Sequence, residues 1–106
     1  MRQMTAPELH AKLQAGEDQA FLLDVRESWE FDICRIDGAR LIPMRQIPGA
    51  CDQLDREQEI VVICHHGIRS QQVALYLEHK GFSQVINLQG GVAGWARDVD
   101  PAMPTY

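Results

Sequence analysis

The chain lacks an excess of basic residues. Its 106 residues include 10 Lys and Arg against 15 Asp and Glu, a formal net charge of −5. Nucleic-acid binding depends on clustered Lys and Arg, so this balance argues against nucleic acid as the main partner. A small anion is not excluded, because it responds to the local field rather than to the net charge.

Long hydrophobic runs are also missing. The longest apolar runs, 20–23 and 60–64, fall well short of the ~20 residues that a membrane span needs. The first five residues contain no apolar core of a signal peptide. We therefore expect no membrane association and, by default, a cytoplasmic location.

Cysteine is scarce, and no two cysteines have CxxC spacing. The three are Cys34, Cys51 and Cys64, and an odd count without a secretion signal predicts free thiols rather than a disulfide framework. Cys64, His65 and His66 are adjacent and rarely converge on one ion, and no second ligand pair has zinc spacing. We expect neither a metal nor a cofactor.

No repeat, low-complexity tract or linker divides the chain. Hydrophobic residues make up 45% and charged residues 24%, an ordinary globular composition. The length suits one domain over 1–106, and we expect that domain to be a monomer.

Strand and helix patterns alternate along the chain, which predicts a three-layer α/β fold with a mainly parallel sheet. Apolar segments predict strands at 20–25, 38–43, 60–64 and 84–88. Helices are predicted from a Thr5–Glu8 capping box to Gly16, over a turn at 28–31, from Ser70 as N-cap to about residue 80, and at 92–97. Residues 44–54 indicate short helical pieces broken by Pro48 and Gly49, and the tail is expected to be extended.

The segment from Cys64 to Ser70 follows the most apolar strand, at the edge of the sheet where α/β folds bind ligands. Gly67 permits a positive φ, so the N–H groups of the loop and of the next helical turn can form an anion cradle. Arg69 adds a positive charge. A helix N-terminus and a cation both favour a thiolate, so we expect Cys64 to be largely ionised at neutral pH.

Such a cradle suits the outer sulfur of a Cys64 persulfide, or a thiosulfate dianion clamped by Arg69. His65 and His66 could contact the substrate, or be exposed loop residues with no special task; both interpretations stay open. A cysteine that ends a core strand is often merely buried, but the helix start and Arg69 favour a nucleophile here. The candidate catalytic residue is Cys64, and the candidate substrate-binding residues are His65, His66, Gly67, Ile68, Arg69 and Ser70.

Asp24 and Arg26 end the first apolar strand at the same edge. We expect Asp24 to accept backbone N–H bonds and Arg26 to pair with Glu27 or Glu30. Cys34 and Cys51 lack the combination of basic neighbour and helix start, so we expect them to have no catalytic role.

Four segments in a fixed order point to a known family. They are Leu23–Glu27, then Glu30–Phe31 with Ile36–Pro43, then Val62–Ser70, and Asn87–Trp95. Together they resemble a single-domain rhodanese, of the thiosulfate sulfurtransferase family, over about 5–97. The resemblance implies a central, mainly parallel five-stranded sheet with helices on both faces. It also implies sulfur transfer by Cys64, with the amides of residues 65 to 70 holding the sulfur or donor.

The implied partners are a small sulfur-containing anion or persulfide as donor and a thiol or carrier protein as acceptor. This chain has His65 and His66 where thiosulfate-using members often have Lys or Arg. Two alternatives remain. A phosphatase or arsenate reductase would use Cys-x5-Arg, whereas four residues separate Cys64 from Arg69 here. A non-catalytic binding module would be expected to lose the cysteine.

Overall fold

A computed structural model describes residues 1–16 and 20–106 as strands alternating with helices. The strands are β1 (Arg2–Met4), β2 (Phe21–Asp24), β3 (Arg40–Leu41), β4 (Ile60–Ile63) and β5 (Val85–Leu88). The α-helices are α1 (Ala6–Ala15), α2 (Ser28–Ile33), α3 (Ile47–Ala50), α4 (Ile68–His79) and α5 (Gly91–Asp98). Single 3₁₀ turns lie at Met44–Gln46 and Cys51–Gln53. Among these described helices, none is long and apolar enough to cross a membrane.

The five strands form one sheet in the order β1-β5-β4-β2-β3, and every pair is parallel. β4 lies at the centre, where a continuous β-branched run is favourable because both faces are covered. Parallel pairing brings the carboxyl ends of β2, β4 and β5 to one edge of the sheet. The predicted α/β fold with a five-stranded parallel sheet is confirmed.

Side chains alternate between the two faces of the sheet and fill two separate cores. One core packs under α1 and α5 and includes Leu22, Val61, Ile63, Ile86, Leu9 and Trp95. The other packs under α3 and α4 and includes Leu23, Val62, Cys64, Val85, Ile47, Val73 and Leu77. Helices on both faces are therefore confirmed, and Cys64 belongs to the α4 side.

The termini of α1 follow the predicted pattern. Thr5 and Glu8 form a reciprocal capping box, in which the Thr5 N–H donates to Glu8 Oε1 at 2.9 Å. Gly16 ends the helix in the left-handed conformation.

Ser70 is not the N-cap of α4. Gly67 takes that position with φ of 101°, which turns the chain early enough for the helix to begin at Ile68. Ser70 consequently lies inside the first turn, fully buried, with its side chain facing the strands. This change brings the Ser70 hydroxyl beside Cys64.

Three other structural details differ from the predictions made from the sequence. β1 was not among the predicted strands, because its three residues carry no apolar alternation and pair only along the edge with β5. Pro48 and Gly49 lie within α3 rather than breaking it, since proline is tolerated in the first helical turn. The tail is not simply extended: residues 101–102 form a turn, and the Tyr106 ring stacks on that of His65.

Candidate active site

Cys64 comes directly after β4, at the carboxyl edge of the sheet, and is 1% exposed. The Gly67 N–H donates to Cys64 Sγ at 3.0 Å. The next amides belong to the first turn of α4, which has no preceding turn to supply carbonyl partners. The thiol therefore lies at the amino end of a helix, where the dipole and the free N–H groups favour a negative sulfur.

The amino end of α5 binds the backbone of the loop that follows β4. The Val92 and Ala93 N–H groups donate to the carbonyl oxygens of Cys64 and His65, at 2.9 and 3.0 Å. A Cβ added at Gly91 would lie 2.3 Å from the Cys64 oxygen, so only glycine permits this approach. The two helices thus meet around the loop, with α4 presenting donors to the sulfur and α5 fixing the backbone.

Two buried polar side chains continue from the thiol toward β5. Cys64 Sγ lies 3.3 Å from Ser70 Oγ, and Ser70 Oγ lies 2.5 Å from Asn87 Oδ1. Asn87 was not identified as a site residue from the sequence. A signal existed, since Asn87 is a single polar residue in the otherwise apolar strand β5.

Arg69 is engaged by a residue that the sequence did not connect to it. Its two terminal nitrogens donate to the two Glu30 carboxylate oxygens at 2.9 and 2.8 Å. Hydrogen bonding from Arg69 holds the pKa of Glu30 at about 2, and the same bond raises the pKa of Arg69. Arg69 is thus near Cys64 as predicted, but its charge is compensated. No sequence pattern indicates a pairing across 39 positions.

A second ion pair lies completely buried behind the site. Arg26 donates to both Asp24 carboxylate oxygens, with Nη2 2.8 Å from Oδ2. The prediction that Arg26 pairs with a carboxylate of Glu27 or Glu30 is wrong: its carboxylate partner is Asp24, and its bond to Glu30 goes to the backbone oxygen, at 3.3 Å. Burial alone would lower the pKa of Arg26, but its hydrogen bonds with Asp24 and Tyr106 raise it. Asp24 also accepts the Arg26 backbone N–H at 3.1 Å, as expected.

The two histidines of the loop form an aromatic stack with the tail. The His65 ring lies 3.9 Å from the His66 ring and 4.0 Å from the Tyr106 ring, centroid to centroid. The Tyr106 hydroxyl bonds Arg26 Nη1 and Glu30 Oε1, each at 2.9 Å. Burial lowers the pKa of His65 and raises that of Tyr106 to about 12, so both are neutral at pH 7.

The remaining cysteines are free and buried. Cys34 belongs to the core on the α1 and α5 side, and Cys51 to the core that includes Cys64. Neither combines a short backbone N–H contact with a helix start of the kind found at Cys64. Of the candidate binding residues, Gly67 and Ser70 contact the Cys64 sulfur, whereas Ile68 points outward and is 72% exposed.

Comparison with known proteins agrees with this architecture. The family model for the rhodanese-like domain matches residues 5–98. A putative sulfurtransferase of Bacillus subtilis is 35% identical, over 95% of this chain and 96% of its own length. The crystal structure of a rhodanese-like domain protein from Staphylococcus aureus is 33% identical with a TM-score of 0.83, over 90% of this chain and 91% of that one.

A longer relative shows the same domain within a larger protein. The chloroplastic rhodanese-like/PpiC domain-containing protein 12 of Arabidopsis thaliana is 38% identical over the whole of this chain. This chain spans 38% of the length of that relative. The match of the family model to nearly the full chain, with the parallel sheet and the cysteine loop at its carboxyl edge, shows that the chain belongs to the rhodanese-like domain family.

Proposed function

We propose that this protein is a sulfurtransferase that carries sulfur as a persulfide on Cys64. The observation that carries the proposal is the short contact from the Gly67 N–H to Cys64 Sγ at the amino end of α4. That arrangement stabilises a sulfur anion, which is both the attacking group and the form in which the transferred sulfur is held. Relatives named as sulfurtransferases support the same chemistry.

The proposed reaction consists of two displacements. The Cys64 thiolate attacks the outer sulfur of the donor, the donor's sulfur bond breaks, and its electron pair leaves with the remainder, which is sulfite when the donor is thiosulfate. A nucleophilic acceptor then attacks the outer sulfur of the persulfide, and the electron pair of the breaking bond returns to Cys64. Atoms and electrons balance in both steps without a cofactor or a metal ion.

Charge favours a persulfide over thiosulfate as the donor, and burial of Cys64 restricts any donor to one with a terminal sulfur. Glu30 compensates the charge of Arg69, so a dianion meets less net attraction at the loop than an unpaired arginine would provide. Cys64 is also almost completely buried, so the donor must present a protruding terminal sulfur. Thiosulfate and a persulfide both present such a sulfur, but a persulfide on a thiol or on a carrier protein does so without a dianionic sulfonate. A phosphate ester does not expose its phosphorus in this way, because its oxygens shield it.

Intact-mass measurement tests the proposal. Incubation with thiosulfate or with a small-molecule persulfide should add one sulfur, ~32 Da, to the protein. Cys64→Ser should gain nothing, whereas the matched controls Cys34→Ser and Cys51→Ser should still gain one sulfur. An adduct that persists in Cys64→Ser would overturn the assignment.

The same preparations separate sulfur transfer from phosphatase chemistry. We expect transfer from thiosulfate to cyanide, and negligible hydrolysis of an aryl phosphate, because the loop with four intervening residues is too tight for three phosphate oxygens. Phosphatase turnover that depends on Cys64, without sulfur transfer, would instead support the phosphatase alternative. If neither activity nor the sulfur adduct is seen, the chain is a non-catalytic module.

A further inference from the structure

A chain of buried hydrogen bonds connects the Cys64 sulfur with β5. Cys64, Ser70 and Asn87 are 1%, 0% and 1% exposed, so water does not compete for these bonds. Successive distances are 3.3 Å from Sγ to Ser70 Oγ and 2.5 Å from Ser70 Oγ to Asn87 Oδ1. Ser70 has one hydroxyl proton and lies between two groups that can accept it.

Asn87 determines the direction of this chain while Cys64 carries its proton. Its amide nitrogen donates to Gln3 Oε1 at 2.9 Å and to the Gly67 carbonyl oxygen at 3.3 Å. These two acceptors orient the amide so that Oδ1 faces Ser70. Ser70 therefore donates its proton to Asn87, and its oxygen lone pairs face the thiol, which donates in turn.

When Cys64 loses its proton, the hydrogen bonds that Cys64, Ser70 and Asn87 can form change. A thiolate is an acceptor only, and a hydrogen bond to a charged group is stronger than one between neutral groups. The Ser70 hydroxyl can satisfy the thiolate only by turning away from Asn87, which leaves the buried Oδ1 without that donor. Asn87 and the thiolate thus compete for the same proton.

We propose that Ser70 is a catalytic hydrogen-bond donor to the Cys64 thiolate and that Asn87 is a positioning residue that limits this donation. Ser70 stabilises the anion that attacks the donor. It also stabilises the Cys64 anion that leaves when the acceptor takes the outer sulfur; this second role rests on the proposed sulfur transfer. By holding the Ser70 proton, Asn87 sets how easily Cys64 ionises.

Other charged or titratable groups surround the thiol and must stay constant in a test. They come from its own loop, α4, α2, the end of β2 and the segment after it, the 3₁₀ turn in the same core, and the tail. In that order they are His65, His66, Arg69, Glu30, Asp24, Arg26, Cys51 and Tyr106. Replacing Ser70 or Asn87 changes none of these groups. A shift in the ionisation profile of Cys64 would therefore report the hydrogen bonds themselves.

The test is the ultraviolet absorbance of the thiolate as a function of pH, taken as the difference between each protein and its Cys64→Ser counterpart. Ser70→Ala should move the midpoint upward by about one pH unit, which is about tenfold less thiolate at a fixed pH below it. Ser70→Thr keeps the hydroxyl and should restore the parent profile.

Asn87→Ala removes the competing acceptor and should move the midpoint downward. Ser83→Ala, a matched change at an exposed hydroxyl bonded to the Arg56 carbonyl, should have no effect.

The opposite directions of Ser70→Ala and Asn87→Ala distinguish the proposal from simple loosening of the loop, which would move both midpoints the same way. Shifts of equal sign, or no shift in Ser70→Ala, would overturn it even if Ser70→Thr did not fold. Single-turnover release of sulfur to a thiol acceptor should slow about tenfold in Ser70→Ala if the leaving anion also depends on the hydroxyl. If Cys64 never gained sulfur, the proposed function would fail, whereas the absorbance profiles would still decide the role of Ser70.

Discussion

Glu30 compensates the positive charge of Arg69 at the candidate active site. The pair is bidentate, and the Glu30 side chain is 5% exposed while that of Arg69 is 35% exposed. Water therefore reaches the arginine but hardly the carboxylate. The guanidinium is held in one orientation, which suits a structural contribution to the loop more than capture of a dianionic donor.

Removing the negative charge of Glu30 should change donor preference. In Glu30→Gln the charge of Arg69 is no longer compensated, so kcat/KM for thiosulfate should rise about fivefold, which corresponds to the ~1 kcal/mol attraction between two unit charges when water screens them fully. A persulfide donor, whose sulfur carries less negative charge than the thiosulfate dianion, should change less. Steady-state kinetics with both donors measure the effect.

Asp32→Asn is the matched control for that experiment, because it removes an exposed charge from the same helix, α2. It should leave both donors unaffected. Equal changes for thiosulfate and for the persulfide in Glu30→Gln would show that Arg69 does not select donors by charge.

Among the secondary-structure elements, α5 approaches the backbone of the loop at Cys64 and His65 closely. Gly91→Ala would place a Cβ 2.3 and 2.4 Å from the carbonyl oxygens of Cys64 and His65. The loop must move, so we expect unfolding free energy to fall by about 2–4 kcal/mol and the sulfur adduct to form more slowly. Urea unfolding and time-resolved intact mass measure both effects.

Gly49→Ala in α3 is the comparison, since nothing lies within 4 Å of a Cβ there. It should change the unfolding free energy by less than about 1 kcal/mol. A Gly91→Ala protein as stable and as reactive as Gly49→Ala would mean that the α5 contact does not hold the loop.

Elements differ in how far the sequence determines them. β4 and the capping box of α1 were predictable, because an apolar β-branched run and a Thr–Glu pair are local patterns. β1 was not, because Arg2–Met4 becomes a strand only by pairing with β5. The start of α4 was predicted three residues late. Both Gly67 and Ser70 are favourable N-cap residues, and only tertiary packing selects between them.

The residues of the candidate site also divide into those that a local sequence pattern predicts and those that only the fold brings together. Cys64, Gly67 and Arg69 were found together because they are close in sequence. Their partners Glu30 and Asn87 come from other elements, and no local pattern connects them to the loop.

At the scale of the whole molecule, Glu30 connects parts of the chain that are far apart in sequence. It accepts hydrogen bonds from Arg69 on α4 and from Tyr106 in the tail, and it receives the Glu27 N–H at the start of its own helix. These donors favour the charged carboxylate, which is why its pKa falls from 4.5 to about 2. Folding and ionisation of Glu30 are therefore linked.

The sign of that linkage predicts an acid-sensitive fold. The lowered pKa stabilises the folded protein fully above pH 4.5, and this contribution is lost as pH falls from 4.5 toward about 2. Glu30→Gln has no such group. Its deficit in unfolding free energy, on the order of 2 kcal/mol at pH 7 because solvent screens Arg69, should shrink steadily below pH 4.5. Urea titrations between neutral pH and pH 2 measure the difference.

Two further variants test whether the acid sensitivity arises from the hydrogen bonds of Glu30. Tyr106→Phe keeps the ring that stacks on His65 but removes the hydroxyl bond to Glu30, so it should reproduce part of the deficit, about 1 kcal/mol. Asp98→Asn breaks an exposed ion pair with Arg97 and should barely alter the acid profile, because surface pairs contribute little. If Glu30→Gln and Asp98→Asn gave the same pH dependence, acid sensitivity would be a general property of the surface carboxylates. A deficit confined to Glu30→Gln and Tyr106→Phe would instead mean that the Glu30 carboxylate links α2, the start of α4 and the tail.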